Sequence, residues 1–403
     1  MGDNENTSLN MSSIVVILPR GARDIPEKFG GGYVRFKLIS PYFFKYINVY
    51  MFYYRSNISI PLFHFLHVLS IIRKVRKARA WAVLTVNPSP MDVWIGRIIS
   101  SLSKVVHVVI LNAVPLSGFV GYRSRTLSHR PALHELWEII KISNRPLRAK
   151  LIEIVHFFLL FRSLRKSIII PLTPDVAQSL RYFRYTYVNS PVGVGCAVSL
   201  ESVRLQKFWE KFWDAVYVAS PLHPDKGLYD VVDVWELVVK ELPNAKLLIA
   251  GKKDPFFEIS RLREYIEGKN IGKNIFLLPS SWLPREMVLK LISRSKLLLY
   301  PTRKDQTPLV ISEALGLGVP VVTYDLPGIS YAYGSCPAVI RVKVGDKQNA
   351  ASEVVKLLRE QHELENLSST AVRWCVENSW DKVALKTITA CLQAVRLAYA
   401  KGR

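Results

Sequence analysis

The chain has 403 residues, 49% of them hydrophobic, with 55 Lys and Arg against 32 Asp and Glu, a formal net charge of +23. That length is more than one core comfortably fills and suits two domains, and the apolar content excludes intrinsic disorder and collagenous or low-complexity architectures. The charge is uneven: residues 1–199 hold 26 basic against 9 acidic side chains, residues 200–403 hold 29 against 23, and between Lys28 and His134 Asp92 is the sole acid among 15 basic residues. A surface of this kind attracts phosphates, nucleic acid or an anionic membrane.

Short Ile- and Val-rich runs recur at intervals that leave room for helices, the pattern of parallel sheets with crossover helices. In chain order the first half offers Ile14–Leu18, Asn48–Tyr54, Ala82–Val86, Val105–Leu111 and Ser167–Thr173. The second half offers Ala215–Ala219, Ala245–Gly251, Asn274–Pro279, Lys296–Pro301, Val319–Tyr324 and Ala338–Val342. Each set predicts a doubly wound α/β sheet. The Pro/Gly cluster Ser190–Gly195 marks the joint. Val372, Trp374, Val376, Trp380, Val383, Leu385, Leu392, Val395 and Leu397 then repeat at helical spacing with no further strand. The predicted division is therefore an N-terminal Rossmann-like domain over 1–192, a C-terminal one over 193–370, and a helical segment over 371–403 that packs back towards the first.

Cys196, Cys336, Cys375 and Cys391 form no CxxC and have no histidine at metal spacing, so neither a metal site nor a disulfide framework is expected. Residues 1–13 are polar and lack the apolar core of a signal peptide, and the uncharged stretches 56–72 and 105–122 are interrupted by Pro and His. The expected location is cytoplasmic, at most peripheral at the inner face of the membrane.

In open α/β sheets ligands bind beyond the carboxyl ends of the strands. The richest such end is KLLLYPTRKDQTPLVISEALGLGVPVVTYDLPG, Lys296 to Gly328. Thr307 reads as a helix N-cap and Pro308 as the first helical residue. The amides of Leu309 and Val310 then point out of the helix end, where hydrogen bonds and the helix dipole both favour an anion such as a phosphate. Glu313 falls six residues after that cap, on a face with Leu309, Val310, Ala314 and Leu317. A buried carboxylate needs a partner: a pair of ligand hydroxyls such as a ribose, or else neighbouring backbone or a lysine. Lys226 stands in the turn HPDKG after an earlier strand, and Gly30, Gly31 and Gly32 follow the first strand, where a bare backbone can approach a ligand closely.

Asp305 and Glu313, eight positions apart, resemble the E-x7-E signature of the GT-B glycosyltransferases of family 4, with Asp in place of the first Glu. The resemblance runs from about Ala215 to Leu358 through SPLHPDKG, ELPNAKLLIAGK and the Lys296–Gly328 segment. It implies a GT-B fold, two Rossmann-like domains facing a cleft, and a retaining transfer of sugar from a nucleotide-sugar donor to an acceptor, with no cofactor and no essential metal. Carried onto this chain, Glu313 would hold the donor ribose, Asp305 the transferred sugar, and the helix start at Thr307, Leu309 and Val310 the diphosphate. Lys226 would neutralise the leaving diphosphate, and Gly31 and Gly32 would belong to the glycine-rich N-terminal loop.

Two positions depart from the family. The arginine five residues before the lysine is Pro221 here, with Ser220 before it, so a diphosphate contact is lost or comes from Arg303 or Lys304. The histidine often found at the end of the fourth strand is Asn112, which hydrogen-bonds but is no proton acceptor of the histidine kind. Between Tyr33 and Trp81 aromatic and basic residues interleave, from Tyr33, Arg35, Phe36 and Lys37 to Arg73, Lys74, Arg76, Lys77 and Arg79. That chemistry suits an anionic membrane surface and a lipid-linked or glycolipid acceptor; the same aromatics are also needed for a core, and a soluble glycan acceptor stays open. The other readings are a basic membrane- or nucleic-acid-binding protein with a degenerate donor site, or a nucleotide-sugar epimerase on the same fold. No nucleic-acid motif supports a nucleic-acid partner.

Overall fold

The computed structural model describes residues 13–19, 31–54, 61–86, 90–111, 155, 158–182, 184–196, 198, 210–253, 259–281 and 283–402. The chain divides into two compact units: Met1–Val192 with Asp381–Arg403, and Gly193–Trp380.

In the first unit β1 (Ser13–Pro19), β2 (Asn48–Tyr54), β3 (Ala82–Thr85), β4 (Val106–Leu111) and β5 (Ile168–Pro171) form one sheet in the order β2-β1-β3-β4-β5. Every pairing is parallel. The connecting helices are α1 (Gly31–Tyr46), α2 (Pro61–Lys77), α3 (Pro90–Ser103) and, after β5, α4 (Pro174–Tyr182). Consecutive residues of β1, from Ile14 to Leu18, are all buried, so both faces of the sheet are covered and the strands read as unbroken apolar runs rather than alternating ones. Val15, Ile17 and Val83 meet Ile71, Ile72, Val75, Ile95 and Ile99 of α2 and α3. Val109, Leu111 and Ile169 meet Val93, Val176 and Leu180.

His107 of β4 sits wholly inside this unit. The Ser167 hydroxyl spends its proton on Ser163 O (2.6 Å), so it accepts from His107 Nδ1 (2.7 Å), and Thr85 Oγ1 donates to Nε2 (3.0 Å). The ring is therefore a neutral Nδ1–H tautomer, and burial, then the charge of Arg97, pushes its pKa down to about 3. A histidine depressed below its unfolded value of about 6.5 stabilises the fold fully above that pH, and the contribution is lost as pH falls towards 3. Unfolding free energy should decline by about 1.4 kcal/mol per pH unit over that window from this residue alone. Urea titrations at several pH values check it: His107→Gln should remove one proton from the slope, and an unchanged slope would refute the assignment.

The second unit contains β6 (Trp213–Leu222), β7 (Leu247–Lys253), β8 (Ile275–Ser280), β9 (Ser295–Tyr300), β10 (Val321–Tyr324) and β11 (Val339–Val342), all parallel, in the order β11-β10-β9-β6-β7-β8. Its helices are α5 (Leu228–Glu241), α6 (Ile259–Glu267), α7 (Arg285–Ser293), α8 (Leu309–Gly316), α9 (Pro327–Tyr333), α10 (Lys347–Arg359) and α11 (Gln361–Glu377). From β6 the chain winds outward through β7 to β8, and from β9 it winds the other way through β10 to β11. The carboxyl ends of β6 and β9 thus flank the point where the winding reverses, the place where doubly wound sheets open a ligand crevice.

The C-terminal helices part at Trp380/Asp381. α11 stays with the second unit, whereas α12 (Trp380–Ala400) is carried by the first, where Tyr46 donates to Asp381 Oδ1 (3.1 Å) and Lys401 Nζ to Thr186 Oγ1 (3.4 Å). Among the described residues no helix is long and apolar enough to cross a membrane, and no group of three His, Cys, Asp or Glu could hold a metal ion.

Candidate functional site

Two loops meet at the reversal point of the second sheet. The first leaves β6 as His223, a 3-10 turn Pro224–Lys226 and Gly227; the His223 ring accepts from Asp225 N (3.1 Å), and Lys226 N and Gly227 N close the turn onto His223 O and Pro224 O (both 2.9 Å). The second leaves β9 as Pro301–Pro308. Backbone joins them, Arg303 N donating to Asp225 O at 3.0 Å. Lys226 and Asp305, 79 residues apart in sequence, then form an ion pair with Nζ 2.7 Å from Oδ2, and Nζ also donates to Lys304 O (3.2 Å).

The floor of this crevice is aromatic. Tyr217 and Tyr300 lie on the neighbouring strands β6 and β9 with ring centroids 5.9 Å apart, and both are buried. Tyr217 donates to Lys226 O (2.9 Å) and Tyr300 to Asp305 Oδ2 (2.9 Å), while Asp305 Oδ1 accepts from Gln306 N (3.1 Å). Burial first, and the Asp305 carboxylate second, push both phenols well above their ordinary pKa, so they act as donors.

The wall is α8. Thr307, expected as the N-cap, is displaced by one position: Pro308 is the cap residue, no side chain caps the helix, and Leu309 is its first residue. Pro308 takes an extended backbone (ψ 119°), and its carbonyl also accepts from the Tyr333 hydroxyl (2.7 Å). Leu309 and Val310 are the first two helical residues, so their amides precede the intrahelical ladder, and Ile311 N is the next to bond, to Pro308 O (3.2 Å). Glu313 is buried within the same helix and receives Arg285 Nε of α7 at 2.9 Å. Of the partners open to Glu313 on paper, a cation is present, and it is an arginine.

Arg303 does not fill the place of the missing family arginine. Its Nε and one terminal nitrogen sit on the two oxygens of Asp230, at 2.5 and 2.9 Å, and Asp230 is 6% exposed. This bidentate pair raises the Arg303 pKa and fastens the β9 loop to α5. Lys347 joins Asp230 (3.4 Å) and Asp233 (2.5 Å), and Lys269 joins Asp233 (2.9 Å) and Glu236 (2.7 Å). Lys304 is the remaining basic neighbour; burial lowers its pKa, and the charges of Asp225 and Lys226 then act on it in opposite directions.

The sequence-derived residues fall into three groups. Lys226, Asp305, Thr307, Leu309, Val310 and Glu313 come together in the second unit. Gly31 and Gly32 are the first two residues of α1 in the first unit, inside the helix rather than in a loop ahead of it, and Gly30 lies outside the described residues. Asn112 also lies outside the described residues. Missed altogether were Tyr217, Tyr300, Asp230 and Arg285. The two tyrosines stand in otherwise aliphatic strand runs and could have been singled out as buried hydroxyls in need of partners; Asp230 and Arg285 carry no local signal.

A six-stranded parallel sheet with a paired cation and carboxylate at its reversal point, followed by a helix N-terminus, is the arrangement in which doubly wound α/β domains open a ligand crevice. Residues 206–374 match the family model "Glycosyl transferases group 1". Over 146 residues it is 27% identical to N-acetyl-alpha-D-glucosaminyl L-malate synthase of Bacillus anthracis, a stretch covering 36% of each chain. The chain thus spans about a third of the length of that curated relative. Its fold is similar to that of sucrose-phosphate synthase from Thermosynechococcus elongatus (TM-score 0.66, 14% identity, covering 97% of this chain and 100% of that one). It is also similar to HepE from Anabaena solved in complex with UDP (TM-score 0.63, 13% identity, covering 94% and 100%). The fold is GT-B.

Proposed function

We propose that the chain is a glycosyltransferase that moves a sugar from a nucleotide-sugar donor to a glycan or lipid-linked acceptor, with retention and without an essential metal. The observation that carries this reading is the Lys226–Asp305 pair, 2.7 Å apart at the reversal point, beside the Leu309 and Val310 amides. A fixed ammonium and helix-end amides stabilise the charge that develops on a departing nucleoside diphosphate, and a carboxylate beside them accepts hydrogen bonds from the sugar being transferred. Glu313, buried on α8 and paired with Arg285, is the carboxylate that meets the ribose hydroxyls in this reading.

Thermal unfolding with UDP, UDP-glucose and UDP-N-acetylglucosamine, each with and without magnesium, tests the reading. A donor at about 100 times its Kd stabilises by about 2.7 kcal/mol. The expected result is a metal-independent shift that Glu313→Ala reduces at least about tenfold in apparent affinity, the worth of one lost charge-assisted hydrogen bond. A shift indifferent to Glu313→Ala removes that residue from the site.

The acceptor side of the reading rests on the surface of the first unit. Phe36, Ile39 and Phe43 of α1 face the core, while Phe44 (51% exposed), Tyr46 and Tyr50 face solvent. Lys45 lies over the Tyr42 ring (5.0 Å) and Lys74 over Phe52 (5.5 Å), and Arg73, Lys74, Arg76, Lys77 and Arg79 are exposed. Exposed rings among cations suit the headgroup region of an anionic bilayer, where each basic residue contributes about 1 kcal/mol. The full chain should sediment with phosphatidylglycerol vesicles at low salt and leave them at high salt, and a variant with Arg73, Lys74 and Lys77 changed to Gln should not sediment. Equal sedimentation of that variant would place membrane contact elsewhere.

A further inference from the structure

Asp305 Oδ2 accepts two hydrogen bonds, from Lys226 Nζ at 2.7 Å and from Tyr300 OH at 2.9 Å. Its other oxygen accepts from the amide of Gln306, the next residue in the chain, at 3.1 Å. The phenol comes from the last residue of β9, and its position is fixed from several sides: the side chain is buried, its ring lies against Tyr217, and its carbonyl accepts from Thr323 Oγ1 on β10 at 2.7 Å. Asp305, by contrast, sits on the loop after β9 and is partly exposed. A loop carboxylate held by a lysine alone keeps its rotamer freedom, because an ammonium accepts many approach directions. A phenol on a rigid strand end removes that freedom.

We infer that Tyr300 is a positioning residue: its hydroxyl fixes Oδ2 of Asp305 against the end of β9, so that Oδ1 is the oxygen turned to the transferred sugar. The inference rests on the reading of Asp305 as the carboxylate that meets that sugar. With Oδ2 filled by two donors, Oδ1 is where the carboxylate accepts from the sugar. Tyr217 does the matching work for the other partner, holding the Lys226 carbonyl at 2.9 Å, so each member of the ion pair is tied to its own buried tyrosine on adjacent strands.

A double-mutant cycle on the full chain tests it, with release of UDP from UDP-glucose or UDP-N-acetylglucosamine and stabilisation by UDP alone as the two readouts. Tyr300→Phe keeps the ring and removes one hydroxyl. It should lower the rate of UDP release about 10- to 100-fold, the worth of one hydrogen bond to a charged group. Stabilisation by UDP, which lacks the sugar, should be unchanged. In an Asp305→Asn background Tyr300→Phe should cost nothing further, because the hydroxyl acts only through that carboxylate. Wild-type release in Tyr300→Phe alongside a loss in Asp305→Asn would overturn the positioning role and leave the functional reading intact, as would a full additional loss in the double variant. Wild-type release in Asp305→Asn itself, or no release and no stabilisation in the wild type, would instead overturn the functional reading and this inference with it.

Discussion

Lys226→Ala should lower the release of UDP from a donor about 100- to 1000-fold while the chain stays folded. Removing one preorganised donor from the point where charge develops typically costs this much. The change is selective because Asp305 is not orphaned by it: Tyr300 and the Gln306 amide still hold the carboxylate at 2.9 and 3.1 Å. Lys226 and Asp305 side chains are 25% and 17% exposed, so solvent screens the pair and its share of stability is about 1 kcal/mol. Steady-state kinetics beside thermal unfolding separates the two effects. A wild-type rate in a folded variant would remove Lys226 from the reaction, and a collapsed melting temperature would show that the pair is chiefly structural.

Gly227→Ala should destabilise the second unit by more than about 3 kcal/mol. Gly227 has φ 76°, in the left-handed region, and a Cβ there would stand 1.9 Å from Pro301 O, 2.6 Å from the Pro301 carbonyl carbon and 3.2 Å from Thr302 N. All three are backbone atoms at the end of β9, with no rotamer to yield. Gly227 cannot retreat either, since its amide closes the 224–227 turn on Pro224 O and its carbonyl receives Val231 N (2.9 Å each). The glycine after the lysine is thus the closest approach of the two loops that make the site. Denaturant unfolding followed by tryptophan fluorescence checks this against Gly272→Ala, where a Cβ would meet nothing within 4 Å and the change should stay within about 1 kcal/mol. Equal midpoints for the two variants would mean that the loops part readily.

Much of the fold was legible along the chain. Each of the eleven apolar runs overlaps one strand, and Asn48–Tyr54 is one from end to end; the inner strands are buried on both faces of a parallel sheet and are therefore continuously apolar. The ends were less legible. The runs overshoot at Val86, Leu172 and Val319, which are buried outside the strands, and undershoot β6, which continues to Leu222 through Ser220 and Pro221. Thr307 illustrates the limit at the helix start: its side chain suits a cap, but Pro308 takes an extended backbone, its carbonyl bonded to the Tyr333 hydroxyl from 25 residues on, and the helix begins one residue later than expected.

By itself the sequence determined the α/β class, the parallel sheets and the placing of Lys226 and Asp305 just beyond strand ends, since all of these are written in local residue order and spacing. Tertiary structure alone decided who holds whom. It placed Arg303 on Asp230 rather than at the open site, gave Glu313 an arginine, and set a buried tyrosine under each member of the Lys226–Asp305 pair. These partners lie 5 to 79 residues apart, on loops and helices brought together by strands whose order no local pattern encodes. Hydrogen bonds of this kind depend on ångström-scale approach, which only the closed sheet supplies.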